Sequence, residues 1–338
     1  MGRSRSRSPR ASRVRLGDPV LDRYLEFVES RCRPNTVLAA ASDLKIFFSV
    51  IRKPAAEVVP ADVLAFITAQ RKAHGDGRIV RLVDGESGLS SRTIKRRLSS
   101  VSGLYSYLVL CGDVAVNPVP RGMATRRRGG RGVALVRTPY TLPKILSPAE
   151  VDALFGSLRH WRDRAMVEAM LLGGLRRCEV LGLRFEDLRP GEGRVFIADG
   201  KGGHQRVVPV SARFFRSVGA YVDTERPAEA RTDQLFVALK GPRRGQPLAD
   251  DGLDKIVLGA RRRAGLRHCT CHQLRHTCLT RLREAGTALE AVQAQAGHRS
   301  LDSTRIYLHL ANDWLAAEYV RVAAIIDASR HGLGAVAQ

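Results

Sequence analysis

Apolar residues recur at every third or fourth position through much of the first 120 residues. Leu21, Tyr24, Leu25 and Val28 share one face of a helix, with order expected to begin near Asp18. A second helix is predicted over about Pro34–Val50, burying Val37, Ala41, Leu44, Phe47 and Phe48, and a third follows Pro60. The most regular stripe comes after Ser90, where Ile94, Leu98, Val101, Tyr105 and Leu108 line one side; Pro118 and Pro120 are expected to stop that helix. Residues 18–120 therefore read as a small all-α domain.

The pattern then breaks. Residues 121–145 open with RGMATRRRGGRGVALVR, which has no acidic residue and four glycines, the composition of a flexible cationic linker. Regularity returns at Ser147-Pro148-Ala149-Glu150, a capping box with proline at the first helical position, followed by Val151, Leu154, Phe155 and Leu158. A further helix is predicted from about Trp161 to Leu172, ending at Gly173-Gly174. Val195–Ile197 and Arg206–Val210 alternate as short strands, joined by the glycine-rich loop ADGKGGHQ. From His272 the chain is again mostly helical. The second domain, residues 146–325, is thus mixed α+β with a small antiparallel sheet. Residues 1–17 read as a disordered basic tail and 326–338 as a second tail.

Charge narrows the choice of partner. The chain has 56 Lys and Arg against 33 Asp and Glu, a formal net charge of +23 over 338 residues. A surplus that large repels itself unless a polyanion is present, so nucleic acid is the leading partner. A compositional preference for Arg over Lys does not explain why acidic residues fail to keep pace. Two clusters carry the charge. Arg92, Lys95, Arg96 and Arg97 sit at the start of the helix after Ser90, and Arg126, Arg127, Arg128 and Arg131 lie in the linker. Each is read as a phosphate-contacting set, with a solvated surface as the bland alternative. No run approaches the roughly 18 apolar residues of a membrane span. The basic N-terminus lacks the apolar core of a secretory signal, and the six cysteines have no framework spacing. A reducing cytoplasm is expected.

Residues 267–278, RHCTCHQLRHTC, crowd three histidines and three cysteines together. His272 and His276 are four apart, the skeleton of a helical zinc motif. But Gln273 cannot act as a general base, Arg275 lies between the histidines, and Cys269 and Cys271 are separated by a single residue. A metal site is not expected. Arg275 instead offers a rigid fork to a phosphate, with His272 one turn earlier as a further donor. Similar elements recur elsewhere. Arg176 follows a glycine bend in GLRRCE, Lys201 sits on a hairpin tip in GKGG, His298 follows a helix end in GH, and Tyr307 comes nine residues later in DSTRIYLHL. Singly each is weak; their order and spacing are specific.

That order resembles the tyrosine recombinases, the phage integrase family. The matching stretches are GLRRCEVLGLRFEDL at 174–188, GKGGHQRVVPV at 200–210, HQLRHTCLTRLREAG at 272–286 and VQAQAGHRSLDSTRIYLHL at 292–310. By this similarity Arg176, Lys201, His272, Arg275 and His298 match the phosphate-handling residues. Tyr307 matches the nucleophile, and Glu179 an acidic position that supports the first arginine. The resemblance implies a SAM-like, helical core-binding domain at 18–120 and a recombinase catalytic domain at 146–325, clamping duplex DNA. Gln295 and Ala296 depart from the apolar residues usual before the Gly-His pair, and Cys269-Thr270-Cys271 from the usual lead-in to His272.

The implied chemistry suits these residue types. A tyrosine phenol, with a pKa near ~10, loses or shares its proton as it attacks a phosphodiester. Arg176 and Arg275 hold the charge that builds on the non-bridging oxygens, with His272 and His298 as added donors. Lys201 protonates the departing 5′-oxygen, and a 3′-phosphotyrosyl link preserves the bond energy for rejoining. No paired acids for Mg²⁺ are seen, and neither cofactor nor metal is expected. The activity implied is site-specific exchange of strands between two DNA sites by a homotetramer. Accessory DNA-bending or directionality proteins are further candidate partners, and a prokaryotic, nucleoid-associated setting is expected. A type IB topoisomerase-like relaxing enzyme and a non-catalytic DNA-binding protein are the alternatives.

Overall fold

The computed structural model describes residues 14–71, 88–120, 135–136, 144–198 and 205–297. The chain divides into two compact units, Met1–Tyr140 and Thr141–Gln338. The described part is mainly helical, with one small antiparallel sheet in the second unit.

The first unit holds α1 (Pro19–Arg31), α2 (Pro34–Ile51), α3 (Pro60–Arg71) and α4 (Ser91–Cys111). Asp18 caps α1 by accepting from the N–H groups of Val20 and Leu21 at 2.9 and 3.1 Å, which sets the start expected from sequence. The predicted stripes become the core: Leu25, Leu44, Phe47, Ile94, Val101 and Tyr105 are all buried, joined by Val63, Phe66 and Leu104. Tyr105 donates its hydroxyl proton to Ala55 O at 2.9 Å, so its polar end is satisfied inside that core. One expectation fails. Helix α4 ends at Cys111, ahead of Pro118 and Pro120, because Gly112 takes a left-handed turn with φ +77°. The N–H of Asp113 then reaches back to Leu108 O at 2.9 Å, closing the helix without proline.

The basic start of α4 also divides in two. Arg92, Lys95 and Arg96 are exposed. Arg96 pairs with the buried carboxylate of Asp43 at 2.6 Å, which also accepts from Ser100 Oγ at 2.8 Å. Arg97, expected on the same outer face, turns inward instead. Its side chain is 13% exposed and bonds Gln70 Oε1. Burial lowers its pKa, an effect the nearby Asp43 opposes. Arg97 ties α3 to α4 and does not stand on the outer face where it was expected. Arg126, Arg127, Arg128 and Arg131 lie outside the described residues.

The second unit is built around α6 (Trp161–Gly173), whose residues from Ala165 to Leu171 are buried on every side. Helix α5 (Pro148–Ser157) opens with the predicted capping box: Ser147 N–H donates to Glu150 Oε2 at 2.8 Å and Glu150 N–H to Ser147 Oγ at 3.2 Å. A short helix α7 (Arg177–Leu181) follows α6 directly. The sheet is β1 (Leu188–Arg189), β2 (Arg194–Ile197) and β3 (Arg206–Pro209), antiparallel in that order, with Val195 opposite Val208 and Ile197 opposite Arg206. Its inward side chains Val195, Ile197 and Val208 join the core. Helices α8 (Ala212–Thr224), α9 (Gly252–Arg263), α10 (Cys271–Glu284) and α11 (Leu289–Ala296) complete the unit. Helices α8 and α10 flank α6. No helix among the described residues is long and apolar enough to cross a membrane.

Candidate active site

Two glycine turns set the geometry. Gly174 ends α6 at φ +65°, and Gly297 ends α11 at φ +60°, the left-handed region glycine occupies without strain. The first turn delivers Arg176 as the N-cap of α7, with Glu179 three residues on. Glu179 is buried; its side chain has no exposed surface. It accepts from the backbone N–H of Arg176 and from Arg176 Nη1, both at 2.8 Å. Arg176 also donates from Nη2 to Gly297 O at 3.1 Å.

Arg275 comes from α10. That helix is capped by Thr270, whose hydroxyl accepts from Gln273 N–H at 3.2 Å, so the unusual Cys-Thr-Cys lead-in still provides a helix start. Arg275 is 4% exposed. It donates to Gly174 O through Nη1 and to Ala296 O through Nη2, the latter at 2.5 Å. Both arginines thus converge on the last carbonyls of α11. The other departure from the family pattern, Gln295, donates to Gly173 O at 2.9 Å and Pro209 O at 3.0 Å. It pins α11 to α6 and β3 by hydrogen bonds where an apolar residue does so by packing.

His272 and His276 meet on one face of α10, their Nε2 atoms 2.7 Å apart. Burial and the positive charge of its neighbours hold both below the ordinary histidine range. For His272 the neighbours are Arg275 and Arg176; for His276, taken down to about 4, they are His272 and Arg275. Protonation of either ring is thus disfavoured, and one hydrogen bond links the two. Cys269, Cys271 and Cys278 are buried. Burial pushes Cys269 up to about 11 and Cys278 to about 12, and raises Cys271 as well. No group of three or more metal-ligating side chains occurs among the described residues.

The structure brings Arg176, Glu179, His272 and Arg275 together, while Lys201, His298 and Tyr307 lie outside the described residues. The strands β2 and β3 that flank Lys201 pair as the sequence predicts, and Gly297 ends its helix where His298 follows. Two other tyrosines are poor nucleophiles: Tyr105 is buried against Ala55 O, and Tyr221, also buried, accepts from Val237 N–H at 3.2 Å.

Sequence reasoning missed Arg206. Its Nη1 and Nη2 donate to Glu179 Oε1 and Oε2, both at 2.8 Å, a two-pronged pair. Burial alone would raise the Glu179 carboxyl; the bonds from Arg206 and Arg176 outweigh it and hold the group at about 2. The signal was a lone acidic residue beside tandem arginines in a strongly basic chain, which needs more than one partner once buried. His276 was weighed only as a metal ligand, and its partnership with His272 was missed too.

The phage integrase family model matches residues 144–313, and the chain belongs to that family. Its activity is that of a tyrosine-type site-specific recombinase, in which DNA is cut and rejoined through a tyrosine. Tyrosine recombinase XerC of Oceanobacillus iheyensis is 29% identical over 316 residues, covering 89% of this chain and 94% of that one. Tyrosine recombinase XerD of Neisseria meningitidis is 30% identical over 305 residues, covering 89% and 96%. In fold, the chain is similar to the Tn1549 transposon integrase solved in complex with transposon right end DNA. The TM-score is 0.68 at 18% identity, covering 90% of this chain and 99% of that one.

Proposed function

We propose that this recombinase attacks a DNA phosphodiester with Tyr307 and holds the reacting phosphate with Arg176, Arg275, His272 and His298. Lys201 protonates the 5′-oxygen that departs. The observation that carries the reading is the convergence of two arginines on one helix end, with a buried carboxylate beneath the first. Fixed in advance, these donors stabilise charge as it develops without reorganising at the moment of reaction. Arginine suits the task because its planar fork matches two phosphate oxygens and its charge persists at any working pH.

The first unit, over residues 18–120, acts as the SAM-like core-binding domain, and residues 146–325 form the catalytic domain. Residues 121–145 tether them along the DNA. Exposed Arg92, Lys95 and Arg96 contact phosphates. This chain takes duplex DNA as its substrate, and the Tn1549 integrase, similar in fold, is solved in complex with transposon right end DNA. Four copies assemble on two sites, with accessory DNA-bending or directionality proteins, in the nucleoid of a prokaryotic cytoplasm.

The test is a suicide duplex, nicked beside the cleaved phosphate and selected from a random-sequence pool by covalent capture on the wild-type chain. Arg176→Ala and Arg275→Ala should each lose adduct formation by about 10²–10³-fold on saturating DNA. Wild-type rates in both would overturn the assignment. Exchange of strands between two such duplexes, beyond relaxation of a supercoiled circle, separates a recombinase from a relaxing enzyme.

A further inference from the structure

Arg206 sits where three parts of the site meet. It is the first residue of β3, five positions after Lys201. Its guanidinium grips Glu179 with two bonds of 2.8 Å. Its stem lies against Gly297: a Cβ added there would stand 3.0 Å from Arg206 Cζ and Nε and 3.1 Å from Cδ. Gly297 O in turn accepts from Arg176, and Arg176 bonds Glu179. The contacts close into a ring of Arg176, Glu179, Arg206 and Gly297.

The ring solves an electrostatic problem. A one-to-one pair of Arg176 with a buried carboxylate would fix the arginine well but cancel the charge a phosphate needs. Two guanidiniums on one carboxylate leave a net single positive charge. They also satisfy both oxygens of a side chain that is cut off from water. Gly297 fits the same account. Its turn must present a bare Cα to Arg206 while its carbonyl faces Arg176, so both its φ of +60° and its missing side chain are needed.

We infer that Arg206 is a positioning residue for the recombination reaction: it balances Glu179 so that Arg176 is held in place while keeping its charge for the phosphate. This rests on the reading of Arg176 as a catalytic residue. Lysine cannot reproduce the role, since an ammonium is a point charge that cannot grip both oxygens in one plane.

The experiment uses the full chain and the suicide duplex described above. Arg206→Lys should slow adduct formation on saturating DNA by about 10–100-fold, the usual loss when a supporting partner is removed. DNA affinity should stay at the wild-type value, and the chain should still unfold cooperatively, at a somewhat lower melting temperature. Arg206→Met removes the charge as well. Glu179 should then bind a proton at a higher pH than in the wild type, and the rate of Arg206→Met should fall on acidification while the wild type stays level. Arg206→Lys should restore part of the lost acid tolerance, a rescue that a purely structural role would not give. Wild-type rates and an unshifted acid limb in both variants would overturn the proposal. So would loss of the melting transition in Arg206→Lys, which would make the residue structural. Arg176→Ala in the same assay keeps the two ideas apart. If it forms adduct normally, the active-site reading fails. If it is inactive while Arg206→Lys is normal, only the positioning role fails.

Discussion

Replacing Glu179 with Gln changes almost no volume but removes the charge at the centre of the ring. Each carboxylate oxygen accepts two bonds: Oε1 from Arg176 and Arg206 side chains, Oε2 from Arg176 N–H and Arg206. An amide must point its NH₂ at one of these donor pairs, so at least two bonds are lost whichever way it turns. The stabilising effect of the charge can be worked from the protonation equilibrium. The carboxyl is held at about 2 against an ordinary value of 4.5, so its ionisation contributes roughly 3 kcal/mol to folding at neutral pH. The folded-state value lies below the unfolded one. The contribution is therefore fully present above about pH 5 and is lost as pH falls through 4.5 toward 2. Glu179→Gln should be less stable than wild type by about 3–5 kcal/mol at pH 7. The gap should narrow by about 0.8 kcal/mol at pH 4 and about 2 kcal/mol at pH 3. Other carboxylates titrate in both proteins and cancel in the difference. Urea unfolding of the full chain followed by tryptophan fluorescence is the assay, because both tryptophans, Trp161 and Trp314, belong to the second unit. A gap that stays constant from pH 7 to pH 3, or a variant as stable as wild type, would refute the reasoning.

Tyr307→Phe should keep DNA binding and form no covalent adduct with the suicide duplex; an adduct at wild-type level would move the nucleophile elsewhere. Strand cleavage should persist in EDTA, and a stoichiometric metal whose removal abolishes it would return RHCTCHQLRHTC to the metal reading. Changing Arg126, Arg127, Arg128 and Arg131 together to Ser should lower the log–log salt slope of DNA binding by about 0.9 for each phosphate no longer neutralised. The weakening should be similar on selected and random DNA, with single-turnover cleavage nearly intact; an unchanged slope would place these arginines in solvent.

Helices with a clean apolar stripe were legible because burial on one side imposes a period the sequence must keep. The buried faces of α1, α2 and α4 follow from Leu21, Leu44, Ile94 and their neighbours. The end of α4 was not, because proline was weighed above a glycine whose left-handed turn satisfies the last carbonyls six residues earlier. Helices α8 and α9 and the two-residue strand β1 passed unread: Gly252–Arg263 ends in three arginines, and Leu188–Arg189 is too short to show alternation. Arg97 shows a different limit. Periodicity locates a residue on a helix, but it does not show the partners the fold brings alongside, here Gln70 and Asp43, which meet the inward-turned side chain. At the site, the motifs identified Arg176, Glu179, His272 and Arg275. Arg206 escaped because its role depends on a carboxylate 27 residues away.

The arrangement of the two arginines also explains how so much positive charge is held in one place without DNA. Arg275 donates to the carbonyl of Gly174, in the turn that launches Arg176. Arg176 donates to the carbonyl of Gly297, in the turn before His298. Each arginine thus braces a glycine bend at a helix end, and Arg275 adds a bond to Ala296 O. All three acceptors lie at the C-terminal ends of α6 and α11, where unpaired carbonyls carry partial negative charge. Carbonyls orient a guanidinium without discharging it, which a second carboxylate would do. The single acid beneath Arg176 is offset by Arg206. Net charge is therefore retained at the point where it must act, and the orientation is set before any phosphate arrives. For a reaction whose barrier is dominated by charge building on oxygen, that prior organisation is the part of catalysis a fold can supply without moving.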